Sequence, residues 1–254
     1  MANTVFDKAV IETAAKDQLI TKVNTRALMD VDTSLAEQSG MTKIINVYSY
    51  SGAAEALAEG EGNTTRGSIA PDKKEYKVKR VQANFDYSDE NFHADNAVID
   101  IGVDGATNEL KNKINADFAG ECAKATLSVP GGLSYNTIVD AIAKLNVEDE
   151  SGIFVVVDNE GKATLRKDED YKTARMSEVV YGGQVGTVAG LPVVQVNGIN
   201  GAYVMTKDAV KLLLKKDIEA EVDRDKDTCI NSVYVRAFYI CALHNATKIC
   251  KITD

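Results

Sequence analysis

Hydrophobic and polar positions follow a strand-like pattern in two stretches of the first third of the chain. The segments MTKIINVYSYSG (41–52) and YKVKRVQANFDYS (76–88) are rich in β-branched and aromatic residues, a composition that predicts β-strands. The stretch between them, ALAEGEGNTTRGSIAPDKKEYKVKR (56–80), has no apolar stripe, and its glycines and Pro71 exclude a helix through its middle. The pattern therefore predicts an extended β-arm, in which two strands are joined by a long polar tip.

The apolar period then changes to that of a helix. Between Asn96 and Ala125 apolar residues recur at steps of three and four and form one stripe: Val103, Ala106, Leu110, Ile114, Phe118 and Cys122. This spacing predicts a long helix that buries one face. Because Gly102 and Gly105 weaken its first turns, we expect it to start nearer Ala106.

A small α/β module is predicted after the turn SVPGG (128–132). It contains a helix over SYNTIVDAIAKLN, a buried strand over GIFVVV, a turn at DNEG, a return strand over KATLRK, and a helix over TKDAVKLLLKK capped by Thr206 or Asp208. The segments DIEAEVD and SVYVRAFYICAL then alternate as strands. The second is largely apolar on both faces, so we expect the long helix to cover it. Before the β-arm, a short helical pattern up to Leu19 precedes an extended piece.

Composition and charge narrow the possible partners. The chain has 254 residues and a net charge of −9, which argues against a general nucleic-acid binder. The N-terminus lacks the apolar region of a secretory signal, and the longest apolar runs are too short to span a bilayer. We therefore predict a soluble cytoplasmic product with no membrane partner. Its four cysteines contain no CxxC pair and are interpreted as reduced thiols: Cys122, Cys229, Cys241 and Cys250.

Candidate chemistry is weak throughout. The glycine run at 182, 183, 186 and 190 lacks both the GxGxxG spacing into a helix and a following Gly-Lys-Ser/Thr. His93 and His244 have no nucleophile motif beside them, and Cys241 and His244 would point to opposite faces of one strand. We accordingly predict no catalytic residue, no cofactor and no metal site.

Charge is segregated around the arm. The basic residues cluster in its second half and just after it: Arg66, Lys73, Lys74, Lys77, Lys79 and Arg80. From Phe85 to Glu109 there is no Lys or Arg, and the acidic residues of that stretch include Asp86, Asp89, Glu90, Asp95, Asp100 and Asp104. Opposite charges in neighbouring segments favour a contact between like subunits, in which the arm of one lies on the helix start of the next. Two solvated faces without a partner are the alternative.

The order of these elements resembles the major capsid proteins of tailed bacteriophages, whose fold is shared with encapsulin shell proteins. The match is carried by Gly190 to Val194 (a G-x-PV strand), Tyr203 to Val210, the acidic strand Ile218 to Asp223, and Ser232 to Ile249. The segments GMTKIINVYSYSGAAEALAEGEG and VQANFDYSDENF are similar to the family's extended loop and to the lead into its spine helix.

The resemblance implies an α+β fold with an N-terminal arm (1–41), an extended loop (42–84), a peripheral domain with the spine helix and long antiparallel strands (85–127 and 217–254), and an axial α/β domain (128–216). It implies a non-enzymatic subunit that forms hexamers and pentamers of an icosahedral virion shell. Scaffolding and portal proteins would be partners, double-stranded DNA would lie against the inner face, and assembly would occur in the host cytoplasm. Two alternatives remain: an encapsulin-like shell around a cargo enzyme, and a hydrolase or binding domain without a linear motif.

Overall fold

A computed structural model describes residues 24–37, 39–95, 97–168, 186–196 and 198–253. The described helices are α1 (Asn24–Ala27), α2 (Asp89–Ala94), α3 (Ala97–Cys122), α4 (Tyr135–Leu145) and α5 (Asn159–Lys167). The first strands are β1 (Asp30–Asp32), β2 (Thr42–Ser51), β3 (Ser68–Lys77), β4 (Lys79–Ser88), β5 (Leu127–Pro130) and β6 (Ile153–Val157). They are followed by β7 (Thr187–Val188), β8 (Leu191–Gln195), β9 (Ala202–Thr206), β10 (Val210–Asp225), β11 (Ile230–Leu243) and β12 (Ile249–Thr253). The helical pattern predicted up to Leu19 and two of the predicted loop glycines, at 182 and 183, lie outside these residues.

The long helix α3 packs on a four-stranded sheet of order β1-β10-β11-β4. The predicted apolar stripe from Val103 to Cys122 is buried, as are the β11 residues that face it, among them Val233, Val235 and Tyr239. The other face of β11 is mostly half-buried. The long helix, the strand and their packing are therefore confirmed.

The helix begins at Ala97 rather than near Ala106, so that expectation is wrong. Two residues before the helix, the side-chain oxygen of Asp95 accepts a hydrogen bond from the N–H of Ala97 at 2.9 Å and so satisfies one free N–H of the first turn. Gly102 has a packing role, since a Cβ atom there would lie 2.3 Å from the ring of Phe85. The glycine lets β4 approach the helix closely, and this contact offsets its low helix propensity.

The second large sheet has six strands in the order β5-β12-β9-β6-β8-β7. Its central strand β6 is buried along its whole length, as predicted for GIFVVV. The predicted helix α4 packs against β5 and β12. It begins with a capping box in which the side chains of Ser134 and Thr137 each bond to the other residue's backbone N–H.

Two predicted elements are wrong. Residues 207–209 form a single 3-10 turn, and the segment after it is the strand β10 rather than a helix. The reason is burial on both faces: Leu212 packs in the core with α3, whereas Leu213 packs on the opposite face with Tyr76. Residues 162–167 belong to the helix α5 rather than a return strand, because Asp158 caps that helix through a 2.6 Å bond from the N–H of Gly161.

The predicted β-arm is a two-stranded antiparallel unit of β2 and β3, with Thr42 paired to Lys77 at its base and Ser51 to Ser68 near its tip. Val78 is buried and separates β3 from β4, so the single strand predicted over 76–88 is two strands in two sheets. Residues 79–84 lie in the four-stranded sheet and residues 249–253 in the six-stranded sheet. The division into four domains stays a prediction.

Candidate inter-subunit surface

The two faces of the arm differ in what covers them. In an antiparallel pair, residues directly opposite each other point to the same face. One face carries Lys43 and Ile45 of β2 opposite Tyr76 and Lys74 of β3. This is the inner face: Ile45 and Tyr76 pack against Leu213 and the end of β11, and Lys43 binds the side chains of Asp32 and Ser34.

The opposite face of the arm is uncovered and mixed in character: large apolar side chains share it with Thr42, Asn46, Lys73, Glu75 and Lys77. Ile44, Tyr48, Tyr50 and Ile69 share it, and their exposed fractions are 60%, 65%, 71% and 66%. These four residues are here called the outer strip. Tyr48, Tyr50 and Ile69 are neighbours toward the tip, whereas Ile44 lies nearer the base, beyond the Asn46–Lys73 pair. Large apolar side chains that are exposed together on a soluble protein mark interaction sites, so the outer strip is the strongest indication of a partner in the described part of the chain.

The tip of the arm is held in shape by its own contacts. Both carboxylate oxygens of Glu55 accept hydrogen bonds, from the backbone N–H groups of Thr64 and Thr65 at 2.8 Å and from the hydroxyl of Thr64 at 2.7 Å. Hydrogen bonds from the side chain of Thr65 and from the backbone and side chain of Thr64 lower the pKa of Glu55 to about 2. At the neck of the tip, Gly52 and Gly67 lie so close to the ring of Tyr50 that a Cβ atom at either would clash with it.

The predicted basic residues fall into three groups. Arg66, Lys73 and Lys77 are exposed on the arm. Lys74 instead contacts its own subunit, because its ammonium group donates to the backbone oxygen of His244 at 2.6 Å. Lys79 and Arg80 belong to β4 rather than the arm, and they line a cleft of about 370 Å³ between β4 and α3, together with Lys113 and Lys124.

The predicted acidic residues also divide. Asp89 is engaged within the chain by Arg224 at 2.6 Å and Asn231 at 2.7 Å. Asp95 accepts a hydrogen bond from the N–H of Ala97, and Asp104 is half-buried. Asp86, Glu90 and Asp100 are exposed. Their contact with the basic residues of another copy stays a prediction.

Sequence reasoning missed the apolar part of this surface. The β2 part of the outer strip could have been found from the alternation of TKIINVYSYS, because residues 42, 44, 46, 48 and 50 of a strand share one face. A second missed residue is Ile101, which is 67% exposed although it lies on α3 directly after Asp100. Ile101 lies outside the stripe of apolar residues that recur every three or four positions along the helix, so its exposure could have been inferred from that spacing.

A metal site in the described residues needs several ionisable or thiol side chains that lie together. No set of three or more His, Cys, Asp or Glu side chains there could hold a metal ion, and no described helix is long and apolar enough to cross a membrane. Burial, with a contribution from Glu121, raises the pKa of Cys122 to about 12. Burial likewise raises the pKa of Cys241 and Cys250, which keeps these thiols protonated, whereas Cys229 is exposed. His93 is exposed on α2.

Known proteins share this fold over most of its length. The chain is 28% identical over 246 residues to the major capsid protein of Staphylococcus phage phiMR11, an alignment that covers 93% of this chain and 89% of that protein. The capsid of Ralstonia phage GP4 superposes with a TM-score of 0.68 at 10% identity, covering 89% of this chain and 86% of that one. The chain has the phage capsid fold. The predicted resemblance and the predicted α+β capsid fold are thus confirmed.

The capsid fold also occurs in a virus-like particle from Pyrococcus furiosus, with a TM-score of 0.66 at 9% identity over 95% of this chain and 97% of that one. No protein-family model matches the chain. Among the described residues, those on the outer face of the arm of β2 and β3 are exposed. The four-stranded sheet of the body, by contrast, has one face buried under α3.

Proposed function

We propose that this chain is the structural shell subunit of a tailed-bacteriophage capsid. Copies of it assemble into hexamers and pentamers that tile a closed icosahedral shell around a double-stranded DNA genome. The chain acts in the virion as a building unit, after assembly in the host cytoplasm with scaffolding and portal proteins, and we assign it no enzymatic role. The relative in phage phiMR11, aligned over nearly the whole chain, supports this proposal.

The outer strip is the observation that carries the assembly mechanism. Four large side chains, each more than half exposed, stand on a projection that has no core of its own. Water contact with such a surface is unfavourable by about 25 cal/mol per Å². A second copy of the chain is the partner that a shell supplies at every subunit, so the arm of one subunit covers the body of the next.

We place the receiving surface at the start of α3. Ile101 offers an exposed apolar side chain there, and Asp100 beside it is exposed. The helix α2 packs against both β4 and α3, which adds the exposed carboxylates of Asp86 and Glu90 to this end of the body. Lys73 and Lys77, which share the outer face with the strip, would meet these carboxylates. Complementary charges would then fix the register, while apolar burial would supply the association energy.

The DNA partner fits the overall charge. A net charge of −9 disfavours tight electrostatic binding of packed phosphate along the inner wall. An encapsulin-like role is not favoured, because the aligned relative is a phage capsid protein.

Size-exclusion chromatography combined with negative-stain electron microscopy tests the proposal. We expect closed particles when the purified chain is concentrated, alone or with its scaffolding protein. A species that stays monomeric or dimeric under every scaffold, salt and concentration condition would contradict a shell function.

A further inference from the structure

A polar cleft of about 440 Å³ lies where the two large sheets meet, away from the arm. Its described lining comes from Thr25 of α1, Lys111 and Asn115 of α3, Lys162 of α5, and residues 193–196 at the end of β8. The helix α3 packs on the four-stranded sheet, whereas β8 belongs to the six-stranded sheet. Small-molecule sites in proteins have volumes of this order, so the cleft is large enough to hold a ligand.

The cleft is positively charged in an acidic protein. The whole chain has a net charge of −9, yet the lining residues in the described part of the chain include Lys111 and Lys162 and no acidic residue. Lys113 of α3 pairs with Asp117 one turn away at 2.8 Å. The residues three and four positions from Lys111 include no carboxylate, and no described residue pairs with its ammonium group: Thr107, Asn108, Ile114 and Asn115. Lys111 is thus left to interact with whatever enters the cleft.

An amide donor is built into the same wall. Thr25 and Asn115 are 0% and 7% exposed, and the hydroxyl of Thr25 donates to Oδ1 of Asn115 at 2.7 Å. This bond holds the amide and leaves the Nδ2 hydrogens of Asn115, for which no described residue is an acceptor. Because buried donors in proteins are nearly always paired, an acceptor inside the cleft would complete this site.

Lys162 is held at the opposite wall by a short relay. Its ammonium group donates to Oε1 of Gln195 at 3.3 Å, and the amide nitrogen of Gln195 donates to Oδ1 of Asn159. An ammonium group has three hydrogens, so this contact positions Lys162 and leaves donors for a ligand. Positive charge and hydrogen-bond donors therefore reach the cleft from α3 and from α5.

We propose that this cleft binds a phosphate group, with Lys111, Lys162 and Asn115 as the donors to its oxygens. A phosphate group on a single ester link carries a charge of about −1.5 to −2 at neutral pH and three strong acceptor oxygens, which matches two ammonium groups and an amide. A carboxylate supplies one charge and two oxygens. Inorganic phosphate and the monophosphate end of a nucleotide share this chemistry, and the volume of the cleft accommodates both.

A bound phosphate would connect the two halves of the body. Lys111 and Asn115 stand on the helix of the four-stranded sheet, and Lys162 is tied to β8 of the six-stranded sheet through Gln195. Two ammonium groups on one cleft repel each other, and an anion between them replaces that repulsion with two attractions. Binding should therefore stabilise the folded subunit. The inference rests on these residues alone and is independent of the proposed shell function.

Isothermal titration calorimetry of the full chain with inorganic phosphate tests the site, with ionic strength held constant by sodium chloride. The double variant Lys111→Met, Lys162→Met keeps both aliphatic stems and removes both charges. Lys113→Met is the matched control, because it removes a lysine of α3 that is paired with Asp117. We expect the double variant to bind phosphate at least about tenfold more weakly, and the control to bind like the wild type. Phosphate should also raise the unfolding temperature of the double variant least, since its general effect as a salt acts on all three proteins.

A nucleoside 5′-monophosphate and the same nucleoside without phosphate identify the source of the group. Tighter binding of the monophosphate than of inorganic phosphate would assign an organic phosphate, and equal or weaker binding would assign inorganic phosphate. Equal binding of the bare nucleoside, no binding of phosphate by the wild type, or equal phosphate binding by all three proteins would overturn the proposal. If the double variant does not fold, NMR of the wild type decides: the side-chain amide of Asn115 should shift and saturate with phosphate, and an unmoved resonance would refute the site.

Discussion

Replacement of both isoleucines of the outer strip, Ile44→Ser together with Ile69→Ser, should impair assembly without unfolding the subunit. Both side chains are about two-thirds exposed in the isolated chain, at 60% and 66%. Full burial of an isoleucine side chain contributes about 1.5–3 kcal/mol, so covering the exposed part contributes about 1–2 kcal/mol for each residue. The double variant therefore loses about 2–4 kcal/mol for every arm that docks.

This loss corresponds to a roughly 30- to 700-fold weaker contact, at about 1.4 kcal/mol for each factor of ten. Because a shell repeats the contact at every subunit, the concentration at which particles first form should rise steeply. Light scattering against protein concentration measures this threshold, and thermal unfolding of the unassembled subunit should change little, since both side chains are solvated there.

A matched control separates the arm from general surface hydrophobicity. Val139→Ser also removes a partly exposed aliphatic side chain, 41% exposed on α4 and distant in sequence from the arm. We expect this variant to assemble much closer to the wild-type threshold than the double variant does. Wild-type assembly by the Ile44→Ser, Ile69→Ser protein, or an equal defect in the control, would refute the role of the outer strip.

Three further predictions concern the helix, the tip and the charges of the arm. Gly102→Ala should lower the free energy of unfolding by about 1–3 kcal/mol, because the new Cβ atom would clash with the ring of Phe85. Gly105→Ala should raise the free energy of unfolding by up to about 1 kcal/mol, because a Cβ atom there meets nothing within 4 Å. Chemical denaturation measures both changes. Glu55→Gln should speed amide exchange at the tip. Because the pKa of Glu55 is lowered to about 2, the wild-type tip should keep its protection at mildly acidic pH and lose it only as the pH falls toward that value. Loss of protection at a higher pH would disprove the role of the carboxylate. Lys73→Glu with Lys77→Glu should slow assembly at low salt and less so at high salt, because exposed charges are screened within about 10 Å at 0.1 M salt; a defect that does not depend on salt, measured by light scattering, would argue against a charge contact.

The spacing of apolar residues correctly predicted the long helix, which is buried on one face, and the strand β6, which is buried on both faces. The stripe from Val103 to Cys122 and the strand over Ile153–Val157 both have the pattern that their packing requires. The same reasoning failed at Leu212 and Leu213, because a continuous apolar run is compatible with a helix and with a strand buried on both faces. Here pairing with β1 and β11 decides the outcome, and partners so distant in sequence are invisible to a local pattern.

The location of the inter-subunit surface stays a prediction, and the structure changes which side chains are available for it. Charge segregation pointed to the arm and to the start of the long helix, yet Lys74 and Asp89 proved to be engaged within the subunit. Such engagement depends on where His244 and Arg224 lie in space, which the sequence does not specify. The outer strip was available from strand alternation, but its exposure became clear only when the inner face was found against the body.

Cryo-electron microscopy of particles formed by the purified chain would show what covers the arm. We expect a closed icosahedral shell in which the outer strip of each arm is covered by the neighbouring subunit, with Ile101 and the exposed carboxylates around it at the contact. A shell whose arms leave the outer strip in solvent, or a chain that forms no shell under any condition, would contradict it.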